Sequence, residues 1–391
     1  MQVREIVLYC VLLHQRQFMH GGSGLAHLDT KAHTIVLPPY TVGEDAYTAL
    51  PQLLAALGTR PVVVGGHQAM AAALPRLERV LGGSGLALCG ALHYGPDCTF
   101  AAAQAAAAQA HALGADVILG VGGGRALDTA KAVGDMLGLP VITLPTIAAT
   151  CAAVTKLSVM YDDHGHFDRF LYLQAAPVHC CIDTLVIARA PVHYLRAGIG
   201  DSLAKHVESP FAARGAEQSH ADSLGLAIAE GLWAPLQQHG PQALREAQSK
   251  VPGPALTAAA LCCIVSTGYV SVLVREDFNG ALAHSLYYVL ESLPAMRGQL
   301  HGDVVAWGAL VQLVLDGQCD RADLLRQLLG ALGIRDSLGQ MGLSLNDPAV
   351  LASLASICEQ PDMAFLPYPI TETMVLDALR RTEEASICSP T

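Results

Sequence analysis

Between Thr34 and Pro191 short apolar runs alternate with stretches of helical period, and that alternation restricts what the chain can fold into more than any other feature. TIVL precedes EDAYTALPQLLAAL, PVVVGG precedes HQAMAAALPRLERVL, GLALCGAL precedes AAAQAAAAQAHALG, DVILGV precedes RALDTAKAVGDMLG, and PVITLPT closes the series. Short Val/Ile/Leu-rich runs bounded by Gly and Pro read as strands buried on both faces. A helix between each pair of strands forces them parallel, with helices covering both sides of the sheet. Beyond Asp183 the strand signal fades. SPFAARGAEQSHADSLGLAIAEGLW, LHGDVVAWGALVQLVL, RADLLRQLLGALG and PAVLASLASICEQ all carry apolar residues at helical spacing.

The fold class that follows is an α/β N-terminal domain, a Rossmann-like parallel sheet, joined to an all-α C-terminal helical domain, with the active site in the cleft between them. Residues 34–190 form the α/β domain, residues 191–391 the helical domain, and residues 1–33 an N-terminal extension to which no role attaches. A chain of 391 residues exceeds what one hydrophobic core serves. No low-complexity linker separates the halves, so they are expected to share a cleft.

Composition excludes several classes of partner. With 23 Lys+Arg against 34 Asp+Glu and a net charge of −11, the chain has no basic surface for nucleic acid. Its 11 cysteines include the neighbours Cys180/Cys181 and Cys262/Cys263 and never adopt CxxC spacing, which suits buried thiols in the cytoplasm. Pro254 to Val274 runs 21 residues without a charge, yet its Thr, Ser, Gly and Tyr content and the absence of a second such run favour a core helix over a membrane span. The N-terminal MQVREIVLYCVLLHQRQFMHGG has two arginines, two histidines and no A-x-A pattern, so it makes a poor signal peptide. A small-molecule enzyme without a membrane partner, assembled as a homo-oligomer, is the expectation.

ADVILGVGGGRALDTAK reads as strand, glycine turn and helix start. Gly122, Gly123 and Gly124 let backbone approach a phosphate, and the helix behind offers its positive N-terminal end. The wording is GxGGG, because position 125 is Arg where GxGxxG continues, and a tight strand-to-helix turn explains it equally well. Asp128 and Lys131 follow at i, i+3, as a surface ion pair or as two groups facing the cleft.

GVGGGRALDTAK, LPTIAAT, LSVMYDDHGHF, IDTLVIARAP, AGIGDSLA, ALAHSLYY and LHGDVVAWG, taken in that order, resemble the glycerol dehydrogenase-like branch of the iron-containing alcohol dehydrogenase superfamily. The resemblance covers roughly residues 34 to 385. It implies that Asp201, His284 and His301 bind one divalent metal, zinc in preference to iron, and are catalytic through it. Iron-preferring members carry a further histidine four residues after the aspartate. Lys205 stands there, and His206 is rotated away by about 100° on a helix. One carboxylate and two imidazoles suit either ion and leave positions open for a substrate oxygen. Each histidine alone reads as an ordinary hydrogen-bonded core residue.

The resemblance further implies dinucleotide contacts, NAD or NADP, at Gly122, Gly123, Gly124, Arg125 and Asp128, at Thr146 and Ala149, and at Thr155, Leu157 and Tyr161. Two departures stand out. Typical glycerol dehydrogenases read S-T-D-A-P after the PTIA run, with the aspartate bonding the polyol, whereas this chain has Ala149, Thr150, Cys151, Ala152 and Ala153. That neutral wording is similar to hydroxycarboxylate dehydrogenase members. It points to a 2-hydroxy acid/2-oxo acid pair, with Cys151, Lys156 and Lys205 as substrate-binding candidates. Glycerol is the alternative, and a dehydroquinate synthase-like lyase or a glycerol-1-phosphate dehydrogenase is more distant. The second departure lies at the end of the second strand, where NAD-specific relatives place an aspartate and this chain has Gly66, His67 and Gln68, leaving NADP open.

Overall fold

In the computed structural model, which describes residues 34–384, six parallel strands form one sheet in the order β1-β8-β5-β4-β2-β3. The strands are β1 (Tyr40–Gly43), β2 (Pro61–Gly65), β3 (Gly90–His93), β4 (Val117–Gly122), β5 (Val141–Pro145) and β8 (His179–Asp183). Helices α1 (Leu50–Leu57), α2 (His67–Gly82), α3 (Phe100–Ala112) and α4 (Gly124–Leu137) cover it. Side chains divide by parity along each strand. Val63, Leu119 and Val121 pack with Leu54 of α1 and Leu77 of α2 on one face. Val62, Val64 and Ile118 pack with Ala106 and Ala110 of α3 and with Val133 of α4 on the other. Burial on both faces is why the strands read as continuous apolar runs.

Two local expectations need correction, and one pair of strands was not expected at all. TIVL is not a strand: Ile35 and Val36 are exposed, and the first strand begins only after Pro38 and Pro39, which have no N–H for a ladder. Of GLALCGAL only the end joins the sheet, as β3. LSVMY and FDRFLY form an antiparallel hairpin, β6 (Leu157–Tyr161) and β7 (Phe167–Tyr172), which the alternation did not announce.

From Thr184 onward the chain is helical: α5 (Thr184–Arg189), α6 (Val192–Ala212), α7 (His220–Gly231), α8 (Trp233–Ser249), α9 (Pro254–Leu261), α10 (Thr267–Leu273), α11 (Leu282–Leu290), α12 (His301–Leu315), α13 (Cys319–Leu332), α14 (Pro348–Leu354) and α15 (Glu372–Glu383). The charge-free run becomes α9 and α10 joined by a π turn at Cys262–Ser266. It is long and apolar enough to cross a membrane, and it contributes Leu256, Ala260, Cys263 and Ile264 to the main core. The sheet half and helical half belong to one compact unit. The N-terminal 33 residues lie outside the described residues.

Two small-residue contacts place the functional elements. α6 and α12 meet so closely that a β-carbon on Gly302 would lie 1.8 Å from the Ala197 carbonyl oxygen, and one on Gly200 2.3 Å from the Gly302 oxygen. Gly198 stands against the Ala148 carbonyl of the PTIAAT segment in the same way. These contacts bring Asp201 on α6, His301 at the start of α12 and the loop after β5 to one place.

Candidate active site

Asp201, His284 and His301 converge. One ligand atom from each lies within 4.8 Å of the others, although the chain between them runs through four other helices. Asp201 Oδ1 stands 3.8 Å from His284 Nε2 and 3.7 Å from His301 Nε2, beyond direct hydrogen-bond range. Asp201 and His284 are well enclosed, while about a third of the His301 side chain is exposed. Burial alone would raise the Asp201 pKa, but His301, His284 and Lys205 outweigh it and hold the carboxyl below its ordinary value.

Glu208 completes this geometry. Its carboxylate is fully buried, accepts from the Ala281 and His284 backbone N–H groups at 2.8 and 2.9 Å, and meets His284 Nδ1 at 2.5 Å. A carboxylate can only accept, so it places the imidazole proton on Nδ1 and turns the Nε2 lone pair toward Asp201. Burial opposes a charge on His284, and Glu208 overrides it, raising the imidazole pKa. Asp201, Lys205 and Glu208 share one face of α6 by i, i+4, i+7 spacing, the one sequence signal that could have found Glu208. At the other ligand, Arg196 on α6 holds Asp303 of α12 through two bonds of 3.1 and 2.6 Å, fixing the turn that carries His301.

His206 takes no part. Its Nδ1 meets the Ala229 carbonyl at 2.9 Å, and its ring stacks on Trp233. A cavity of about 450 Å³ lined by Val207, Phe211, Arg214, Asp316 and Arg321 opens on this outer side of α6, away from the ligand face.

The glycine turn lies close by. Gly122 has φ +154°, and a β-carbon there would stand 2.6 Å from Ala126 Cβ, so the position suits glycine alone. Gly123 caps α4 without any side-chain bond, leaving the first N–H groups of the helix open. Thr146 N–H donates to the Gly122 carbonyl at 3.0 Å, and Thr150 lies beside Gly124, which ties the loop after β5 to the turn. Arg125 pairs with Asp97 at 2.5 Å and rests its guanidinium 4.4 Å over the Tyr161 ring. Tyr287 bridges to the histidines: its ring meets His301 edge-on at 4.4 Å, while burial first, then Glu291 and Tyr161, push its hydroxyl pKa up.

The expected nucleotide residues sort into two groups. Gly122, Gly123, Gly124, Arg125, Thr146 and Tyr161 surround the open turn, while Ala149, in the loop after β5, lies against Gly198 of α6. Asp128, Thr155 and Leu157 instead build an internal tie, and the surface-pair reading of Asp128 and Lys131 is wrong. Lys131 is buried, pairs with Asp128 at 2.8 Å, reaches Thr155 Oγ1 at 3.1 Å and bonds the Leu157 carbonyl. The Asp128 carboxylate also takes the Val159 N–H at 3.2 Å. The tie is buried because β6 covers α4, a tertiary contact invisible in local spacing.

The substrate candidates also separate. Lys205 is buried near Asp201 and Glu208 and donates to the carbonyl and side-chain oxygens of Asn279. Cys151 lies near Asp201 and Lys205, its thiol pushed up to about 11 by burial first and then by Asp201. Lys156 is exposed, and no contact gathers it to this group among the described residues. Asp362, in the short turn Pro361–Met363, was not anticipated. Its carboxyl lies against Gly280 and feels His284, Glu208 and Lys205, while burial raises its pKa.

A family model described as iron-containing alcohol dehydrogenase matches residues 38–184. A glycerol dehydrogenase of Escherichia coli O6:H1 is 33% identical over 81% of this chain and 86% of its own length. Hydroxycarboxylate dehydrogenase A of Escherichia coli K12 is 34% identical over 83% of this chain and 90% of its own. The crystal structure of glycerol dehydrogenase from Schizosaccharomyces pombe superposes with a TM-score of 0.80 at 25% identity, covering 90% of this chain and 91% of that one. The chain belongs to the iron-containing alcohol dehydrogenase family. Within it, the protein is glycerol dehydrogenase-like and an alcohol oxidoreductase.

Proposed function

We propose that this oxidoreductase uses a nicotinamide dinucleotide and one divalent metal to interconvert a small alcohol and its carbonyl, with a 2-hydroxy acid/2-oxo acid pair as substrate. The observation that carries the reading is the convergence of Asp201, His284 and His301 beside the glycine turn. The donor set fits a divalent cation, with zinc favoured because Lys205 stands where a further imidazole would serve iron. Such a cation supplies Lewis acidity to an alcohol or carbonyl oxygen.

The chain's own residues supply the rest. Glu208 holds His284 in one tautomer, and Arg196 with Asp303 holds the start of α12. The open N–H groups of α4 receive the pyrophosphate. Tyr161 and Tyr287 span from that turn to His301. Cys151, neutral at physiological pH, presents no charge to a substrate carboxylate, and Lys205 offers an ammonium near by.

Glycerol is the second reading, supported by Asp362. A carboxyl whose pKa burial raises, with no ion-pair partner among the described residues, suits a polyol hydroxyl. A panel of 2-oxo acids against dihydroxyacetone and glycerol, run with both nicotinamide cofactors, separates the two. The expected outcome is a higher kcat/KM for a 2-oxo acid. Faster reduction of dihydroxyacetone than of any 2-oxo acid would defeat the carboxylate reading.

A further inference from the structure

Two imidazoles stack at the carboxyl edge of the sheet, outside the group already described. His67 opens α2 just after β2, and His93 ends β3; their rings lie 3.8 Å apart and 16° from parallel. β2 is the neighbour of β4, which carries the glycine turn, and Gly65 registers with both Val121 and His93. The first turn of α2 touches the turn itself, since a β-carbon on Gly122 would lie 3.8 Å from Ala69 Cβ. The Gly95 N–H donates to His93 Nδ1 at 3.2 Å, so the neutral His93 ring carries its proton on Nε2, free to donate elsewhere. Tyr94 lies tilted against His93 and beside Gly66.

At this strand end, parallel nucleotide-binding sheets that select an unphosphorylated ribose place an acid for its 2′-hydroxyl. Here Gly65 to Met70 contains none, and the first acid on α2 is Glu78, three turns away. On the β3 side the nearest acid is Asp97, whose two oxygens are taken by Arg125 at 2.5 Å and by the Cys98 N–H at 2.7 Å. Among the described residues the edge therefore holds two exposed imidazoles and no free carboxylate to repel a phosphate.

We infer that His67 and His93 form the subsite for the ribose 2′-phosphate of NADP(H), making this chain prefer the phosphorylated dinucleotide. The inference rests on the dinucleotide-linked reading above and adds the choice between cofactors. A bond from an imidazole N–H to a phosphate oxygen is charge-assisted through its acceptor, and its loss costs about tenfold in affinity.

Fluorescence titration of the full-length protein with NADPH and with NADH tests this without turnover, with 2′-AMP and 5′-AMP as competing probes. The expected result is NADPH binding at least about tenfold tighter than NADH, and 2′-AMP competing better than 5′-AMP. His67→Ala and His93→Ala should each narrow the gap by about tenfold, and His67→Asp should shift preference toward NADH. Wild-type protein binding NADH as tightly as NADPH would overturn the inference and leave the dehydrogenase reading intact. An unchanged gap in all three variants would overturn the assignment to these histidines. Binding of neither nucleotide would remove both.

Discussion

Two buried polar clusters, one in each half of the molecule, contain the same kinds of groups and differ in whether they close. In the sheet half Lys131 and Asp128 pair at 2.8 Å, and the remaining bonds go to Thr155, Leu157 and Val159, so each charge finds its partner inside the fold. In the helical half Asp201 stops 3.7 to 3.8 Å short of both imidazoles, while Glu208 secures the far nitrogen of His284. A closed cluster joins elements. An open one, with its donors aimed inward and held from behind, has the arrangement that the proposed cation requires.

The largest effect that would sharpen this contrast is expected from Asp201→Ala. Removing the central carboxylate should lower alcohol oxidation more than about 100-fold, beyond what loss of a supporting residue causes, with the thermal midpoint little changed. Activity within a few-fold of wild type would break the contrast. Lys131→Met should act in reverse, costing about 3 to 5 kcal/mol of stability by stranding the buried Asp128 charge, while metal content stays at wild-type level. Chemical denaturation reads the cost, and adding Asp128→Leu should restore much of it.

Glu208→Gln follows in size. It keeps the shape but removes the charge that holds His284, so metal affinity should fall about 10- to 100-fold, measured by competition with a chelator. The smallest effect belongs to Arg196→Ala. Its pair with Asp303 is part-exposed and screened, so stability should drop by about 1 kcal/mol or less, with metal affinity shifting less than for Glu208→Gln. A reversed ranking of those two would mean that the start of α12, not His284, is the sensitive part of the site.

Much of the closed cluster's surroundings was legible in the sequence, and its closure was not. The β–α alternation announced the parallel sheet because strands buried on both faces must be apolar throughout. The i, i+3 spacing of Asp128 and Lys131 described only their own helix. Their burial depends on β6, part of a hairpin whose LSVMY and FDRFLY runs flank the turn residues DDHGH, a local signal that says nothing of which helix the hairpin covers. Pro38 and Pro39 moved the first strand past TIVL for a reason visible in the residues themselves, the missing N–H groups. For the open cluster, Asp201, His284 and His301 stood out through ordered motifs spread over the helical half. Glu208 was obscured because its partner lies 76 residues away. Asp362 was obscured because only the packing of its short turn against Gly280 brings it near.

The central claim is that Asp201, His284 and His301 together hold one catalytic cation. Calorimetric titration of chelator-stripped protein with Zn²⁺, and separately with Fe²⁺ under anaerobic conditions, tests it most directly when activity is followed on the same samples. The account predicts one strong site per chain, activity returning in proportion to occupancy, and loss of that site in Asp201→Ala and His301→Ala. Full activity in the stripped protein, or an undiminished strong site in both variants, would contradict it.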